Sequence, residues 1–295
     1  MNPVASAAVG WLYFASVTLG VGAVVFHLAI LPRACRAVPS LDHARVARRV
    51  ARVGAAAAAA IAAGLAGLLV RQAGELRFPG DPLSVGLDLV EGTPWWTAWS
   101  WGVAGCAVAV GGFTLAARGR GHGAWAAGVG LIPLVLLPGL TGHASDADAG
   151  IVALVADALH VTAASAWIGG LGVLLLAGRG VAGRGAFVPL VRAFSPVAIA
   201  SVTLLVASGA LASWRIVQPW SAYWTTPYGR TLLLKVGLFG VVALFGLWNW
   251  RRGTPGAGDA PDGGGAAALR RSAAIEFTLA QIVLVVTAVL VRTSP

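Results

Sequence analysis

The chain is 295 residues long, 58% hydrophobic and 11% charged, with a mean hydropathy of +0.80, too apolar for a soluble domain that hides its hydrophobic residues in a core. Its 21 Lys and Arg against 11 Asp and Glu leave a net charge of +10. The arginines cluster between apolar runs as membrane orientation signals do, which excludes nucleic acid as a partner and predicts an integral membrane protein surrounded by the lipid bilayer.

A bilayer core needs ~20 mostly apolar residues per helix, and eight segments qualify: roughly 8–31, 50–70, 97–117, 124–141, 150–176, 193–213, 229–250 and 272–292. None shows the two-residue alternation of a β-barrel, so the expected fold is all-α, a polytopic membrane helical bundle of about eight transmembrane helices. The N-terminal stretch lacks the basic region of a secretory signal, and its apolar run is predicted as a retained first helix. Cys35 and Cys106 fall at different depths, which argues against a disulfide or a two-cysteine metal clamp.

The first connection carries Arg33, Arg36, Arg45, Arg48, Arg49 and Arg52, and the third carries Arg118 and Arg120. The later odd connections hold Arg179, Arg184 and Arg192, then Arg251, Arg252, Arg270 and Arg271. Such connections are expected in the cytoplasm. Glu75, Asp81, Asp88 and Glu91, then Asp146 and Asp148, occupy the alternate connections, so both termini are expected outside. Trp95, Trp96, Trp99 and Trp101, and Trp214, Trp220, Tyr223 and Trp224, read as interfacial aromatic belts. The stretch 251–271, rich in Gly and Pro with basic ends, is predicted as a flexible cytoplasmic loop.

Thr93-Pro94-Trp95 precedes helix three as Thr226-Pro227-Tyr228 precedes helix seven. This suggests two parallel four-helix repeats, an N-terminal half (1–141) and a C-terminal half (142–295). Thr-Pro-aromatic is also ordinary turn chemistry.

Ionisable groups inside the spans are expensive and commonly face a cavity or a partner. Asp157 and His160 share one face of helix five at i, i+3 spacing, and His143, in LTGHASDADAG, lies just across a short loop. Two imidazoles and a carboxylate suit a copper or zinc ion, with Asp146 and Asp148 concentrating cations nearby. The alternative is that Asp157 caps the helix and His160 donates to a backbone carbonyl. Lys235, in helix seven, either neutralises Asp157 or snorkels outward. His27, Glu276 and Asn249 sit at similar depths toward the arginine-rich side. They read as an inner relay for copper or a coupled proton, or as a buried hydrogen-bonded group locking helix one to helix eight.

In content and order, "GHA" (142–144), "DALHVTAASAWIGGL" (157–171), "TTPYGRTLLLKVGLFGVVALFGLWNWRR" (225–252) and "RRSAAIEFTLAQIVLVVTAVL" (270–290) resemble the copper resistance D (CopD) family over helices four through eight. The resemblance implies a bacterial cytoplasmic (inner) membrane protein that moves copper inward and works with a soluble CopC-like copper-binding partner on the outer side. By position the family's characteristic residues fall on His143, Asp157, His160, Trp167, Lys235, Asn249 and Glu276. The chain departs from methionine-rich copper proteins in having Met1 alone, so a His/carboxylate site favours Cu(II), or Cu(I) held transiently by imidazole.

The leading expectation is a copper transporter with an outer capture site, not an enzyme, with the copper ion as the metal handled. Two alternatives are a haem-binding membrane oxidoreductase of the HemJ type and a copper-binding assembly or sensory protein that moves no metal. Against the first, the chain is about twice the length of such oxidoreductases and shows no pair of histidines at mid-membrane depth.

Overall fold

The computed structural model describes residues 2–141, 150–178, 187–253 and 264–291. Eight helices in it are long and apolar enough to cross a membrane: α1 Pro3–Ala37, α2 His43–Leu76, α3 Pro94–Ala117, α4 Gly123–Thr141, α5 Gly150–Ala177, α6 Phe187–Arg215, α7 Pro227–Arg251 and α8 Gly265–Leu290. The helical spans follow from backbone chemistry, because in hydrocarbon only a helix or a closed barrel satisfies every amide and carbonyl.

Local signals set the helix starts. The Asn2 side chain accepts from the Ala5 amide at 2.7 Å ahead of Pro3. Thr93 and Thr226 cap α3 and α7 in the same way, accepting from the Trp96 and Gly229 amides at 3.1 and 3.0 Å. In each case a proline follows at the first helical position, where its missing N–H costs nothing. Capping therefore gives the shared Thr-Pro motif a local reason.

Several helices run past the hydrocarbon. At ~1.5 Å per residue α2 is about 50 Å long, against a core of about 30 Å, so Arg45, Arg48, Arg49 and Arg52 ride on helix rather than in a loop. A short helix, Leu83–Val90, breaks the connection between α2 and α3. Within the predicted 251–271 loop, residues 265–271 instead form the first turns of α8. Their Gly-Ala-Ala-Ala-Leu-Arg-Arg run explains this correction, since alanine, leucine and arginine are strong helix formers.

Lipid tails are as apolar as leucine, so close backbone approach and buried hydrogen bonds replace the hydrophobic drive between helices. α1 is the hub, packing against α2, α4, α5, α6 and α8. Its Gly22 lies so near Gly169 of α5 that an added Cβ would sit 2.2 Å from the Gly169 carbonyl carbon. The Tyr13 hydroxyl donates to the Leu134 carbonyl of α4 at 2.6 Å. Cys106 is buried with its thiol 3.3 Å from the Ala58 carbonyl, and Cys35 is free as well. Gly10 meets Ala288, so the start of α1 and the end of α8 lie at one end of the bundle. We call this the termini end and the other the arginine-rich end.

Three spans contain a π-helical turn: Phe26–Ile30 in α1, Ser165–Gly169 in α5 and Asn249–Gly253 in α7. Such turns insert one residue into the helical register and concentrate at functional positions. They carry His27, Trp167 and Asn249.

Candidate functional site

Toward the termini end, Asp157 and His160 project from α5 about two and three turns past Gly150 at ~3.6 residues per turn. Asp157 is therefore too far inside the helix to cap it. It packs against Gly139 of α4, where an added Cβ would lie 3.1 Å from Asp157 Oδ2. That same Oδ2 is buried and, among the described residues, has no hydrogen-bond donor. A carboxylate oxygen left unpaired in an apolar interior is costly, so the position favours any arriving cation or proton. Lys235 of α7 exerts its charge on both Asp157 and His160, although among the described residues it forms no ion pair at contact distance with either.

His160 binds a side chain rather than a backbone carbonyl. Its Nδ1 lies 3.0 Å from Ser208 Oγ on α6, and that hydroxyl is 2.7 Å from the Leu204 carbonyl. A serine has one hydrogen to give. With it directed to Leu204, Nδ1 must carry the proton donated to Ser208, and Nε2 keeps its lone pair. This is how outer partners fix a metal-binding imidazole. Gly209 lies under the same ring, with 3.5 Å between an added Cβ and Cε1.

His143, with Asp146 and Asp148, lies outside the described residues. Among those described, no group of three or more His, Cys, Asp and Glu side chains converges.

A second polar cluster lies deeper, toward the arginine-rich end. Glu276 of α8 is 7% exposed and Trp167 of α5 is 4% exposed. Trp167 Nε1 donates to Glu276 Oε1 at 3.3 Å, and the Asn249 side chain lies close enough to act on the same carboxyl. Ser272 donates to Asn249 Oδ1 at 2.6 Å, which leaves the amide nitrogen of Asn249 as the group that can face Glu276. Both neighbours are then donors, an arrangement suited to a carboxylate. Among the described residues no lysine or arginine forms an ion pair with it. Gly246 makes room, since its added Cβ would sit 2.9 Å from Glu276 Oε1. Phe239 holds the Trp167 ring edge-on, with centroids 5.7 Å apart at 84°.

His27 stands apart from this cluster. It is half-buried in α1, and its charged neighbour is His43 at the start of α2. Neither of these contacts to Glu276 involves it. Sequence reading also passed over Ser208 and Ser272, because a serine in a membrane helix is usually satisfied by its own backbone. For Ser272 the available signal was its i, i+4 spacing from Glu276.

The fold and these clusters define a multi-pass membrane protein whose C-terminal helices bury paired ionisable and hydrogen-bonding groups away from water. Within that class, residues 188–290 match the family model of copper resistance protein D. The matched region includes Lys235, Asn249 and Glu276 and stops short of Asp157 and His160. The chain is also 33% identical over 121 residues to the copper transport protein CutJ of Bacillus subtilis (strain 168), an alignment covering 38% of this chain and 21% of that protein. It thus spans about a fifth of the length of this curated relative. No solved structure matches the chain.

Proposed function

We propose that the protein transports copper across the bacterial cytoplasmic membrane, with both termini outside, and that Asp157 and His160, together with His143, capture the ion at the termini end. The observation that carries this reading is the buried Asp157 Oδ2, unpartnered among the described residues, one helical turn from an imidazole whose Nδ1 is tied to Ser208. The CopD match and the likeness to a copper transport protein favour copper as the cargo over other divalent ions. Lys235 offsets the Asp157 charge while the site is empty, and the arriving cation takes over that role.

Glu276, held by Trp167 and Asn249, is the inner relay. A buried carboxyl that accepts from Trp167 and has no cationic partner among the described residues needs a proton or a passing metal ion to balance it. His27, closer to His43, is the exit group of the same path. A soluble CopC-like protein delivers copper on the outer side.

Copper uptake into proteoliposomes containing the purified chain tests the reading. Uptake that requires the protein and is lost in His160→Ala supports transport. Copper binding at unchanged stoichiometry with no uptake in the wild type identifies a binding or sensory protein instead.

A further inference from the structure

A cleft of about 430 Å3 opens between α6 and the last turn of α7, lined by Arg192, Ser195, Pro196, Ile199, Ala200 and Trp250. It starts at the arginine-rich end and descends along α6. From Arg192 to Ala200 is about 12 Å at ~1.5 Å per residue, enough to pass from the headgroup layer into hydrocarbon.

The wall changes character with depth in the way a phospholipid does. Arg192 is exposed at the top, and among the described residues it has neither an acidic partner nor a hydrogen-bond acceptor. Ile199, 47% exposed, lies about 10 Å further along α6 at ~1.5 Å per residue, while Trp250, 43% exposed, borders the cleft from the last turn of α7. Arg270 provides a contrast at the same end of the bundle, because its guanidinium is stacked over the Phe187 ring at 5.3 Å.

Pro196 adds a second recognition element. It interrupts α6 from within, and lacking an N–H it cannot donate to the carbonyl four residues back, which belongs to Arg192. Arg192 thus offers a cationic donor in its side chain and an under-satisfied acceptor in its backbone. The Ser195 hydroxyl is already directed to the Val191 carbonyl at 2.9 Å, so charge recognition falls to Arg192.

We propose that this cleft binds an anionic phospholipid with a hydroxylated headgroup, of the phosphatidylglycerol type. The phosphate pairs with the Arg192 guanidinium, a headgroup hydroxyl donates toward the Arg192 carbonyl, and an acyl chain runs past Trp250 and down along Ile199 and Ala200. Basic pockets between membrane helices recognise such headgroups by these interactions.

Native mass spectrometry of the full chain in detergent, titrated with phosphatidylglycerol or phosphatidylcholine of matched chains, tests the site. Phosphatidylglycerol should bind at least about fivefold more tightly, the preference one arginine near a headgroup supplies. Arg192→Gln should abolish the preference, Arg192→Lys should retain most of it, and Arg118→Gln at the same end should leave it unchanged. Trp250→Ala should weaken both lipids alike. Equal binding of the two lipids by the wild type, or a preference that survives Arg192→Gln, overturns the proposal. So does displacement of the lipid by millimolar inorganic phosphate, which would mark a site for a free anion.

Discussion

Trp167 Nε1 donates to Glu276 Oε1 across 3.3 Å, joining α5 to α8. Tryptophan can only donate, so this contact supports a carboxylate without neutralising it. With Asn249 and Ser272 nearby, the pair makes a buried acceptor that has no basic partner among the described residues.

Glu276→Gln keeps the size of the side chain and removes its ionisation. Copper binding at the termini end is expected to stay within about twofold of wild type, while proteoliposome uptake falls about 10- to 100-fold, the cost typical of losing a group that tunes a metal path. Parallel measurements of bound copper and uptake rate check this. Normal uptake would leave Glu276 with a purely structural role.

His27 is separable from Glu276 by the same assay. If it is the exit group, His27→Gln slows uptake without changing the near-ultraviolet environment of Trp167, since the imidazole is not one of the partners of Glu276. A variant with unchanged uptake removes His27 from the path.

Ser208→Ala should weaken copper binding by about tenfold, within the range seen when a partner of a metal-binding histidine is lost. The serine would touch no metal; it holds the Nδ1 proton of His160. Isothermal titration of Ser208→Ala beside Ser208→Thr is the check, with the threonine expected to recover most of the affinity because it keeps the hydroxyl.

Asp157→Asn should reduce copper affinity without abolishing it, because an amide oxygen remains at the position while the charge is gone. Lys235→Met should act oppositely and raise affinity, by removing a cation that competes for the same carboxylate. Equal losses in both variants would show that the two residues serve only the packing of α5 against α7.

Gly22→Ala places a Cβ against the Gly169 backbone. The helices must part, at a cost of about 1–3 kcal/mol as for other overpacked interiors, and the thermal midpoint in detergent should fall accordingly. Gly74→Ala, where the added carbon meets nothing within 4 Å, is the control.

The eight spans were legible because hydrocarbon leaves a chain few options, and uninterrupted apolar length is a signal that composition alone carries. Boundaries were less so. Arg45 to Arg52 looked like a connection because their charge ends the apolar run, yet the helix continues as a water-facing extension. The Asp157 and His160 face followed from i, i+3 spacing. Ser208, on another helix, could not be paired with His160 without the packing of α5 on α6. The π turns left no trace in the periodicity, because a single inserted residue is smaller than the scatter in an apolar pattern.

The meeting of Gly22 and Gly169 also bears on how the protein is made. α1 is synthesised first, but its neighbours α5, α6 and α8 follow long afterwards, so its bare glycine backbone must wait in the bilayer for a surface that does not yet exist. Contacts this distant in the chain form late and slow assembly. The later helices, once inserted, therefore close around a first helix already in place, and α5, α6 and α8 cannot finish packing until α1 has been recruited between them.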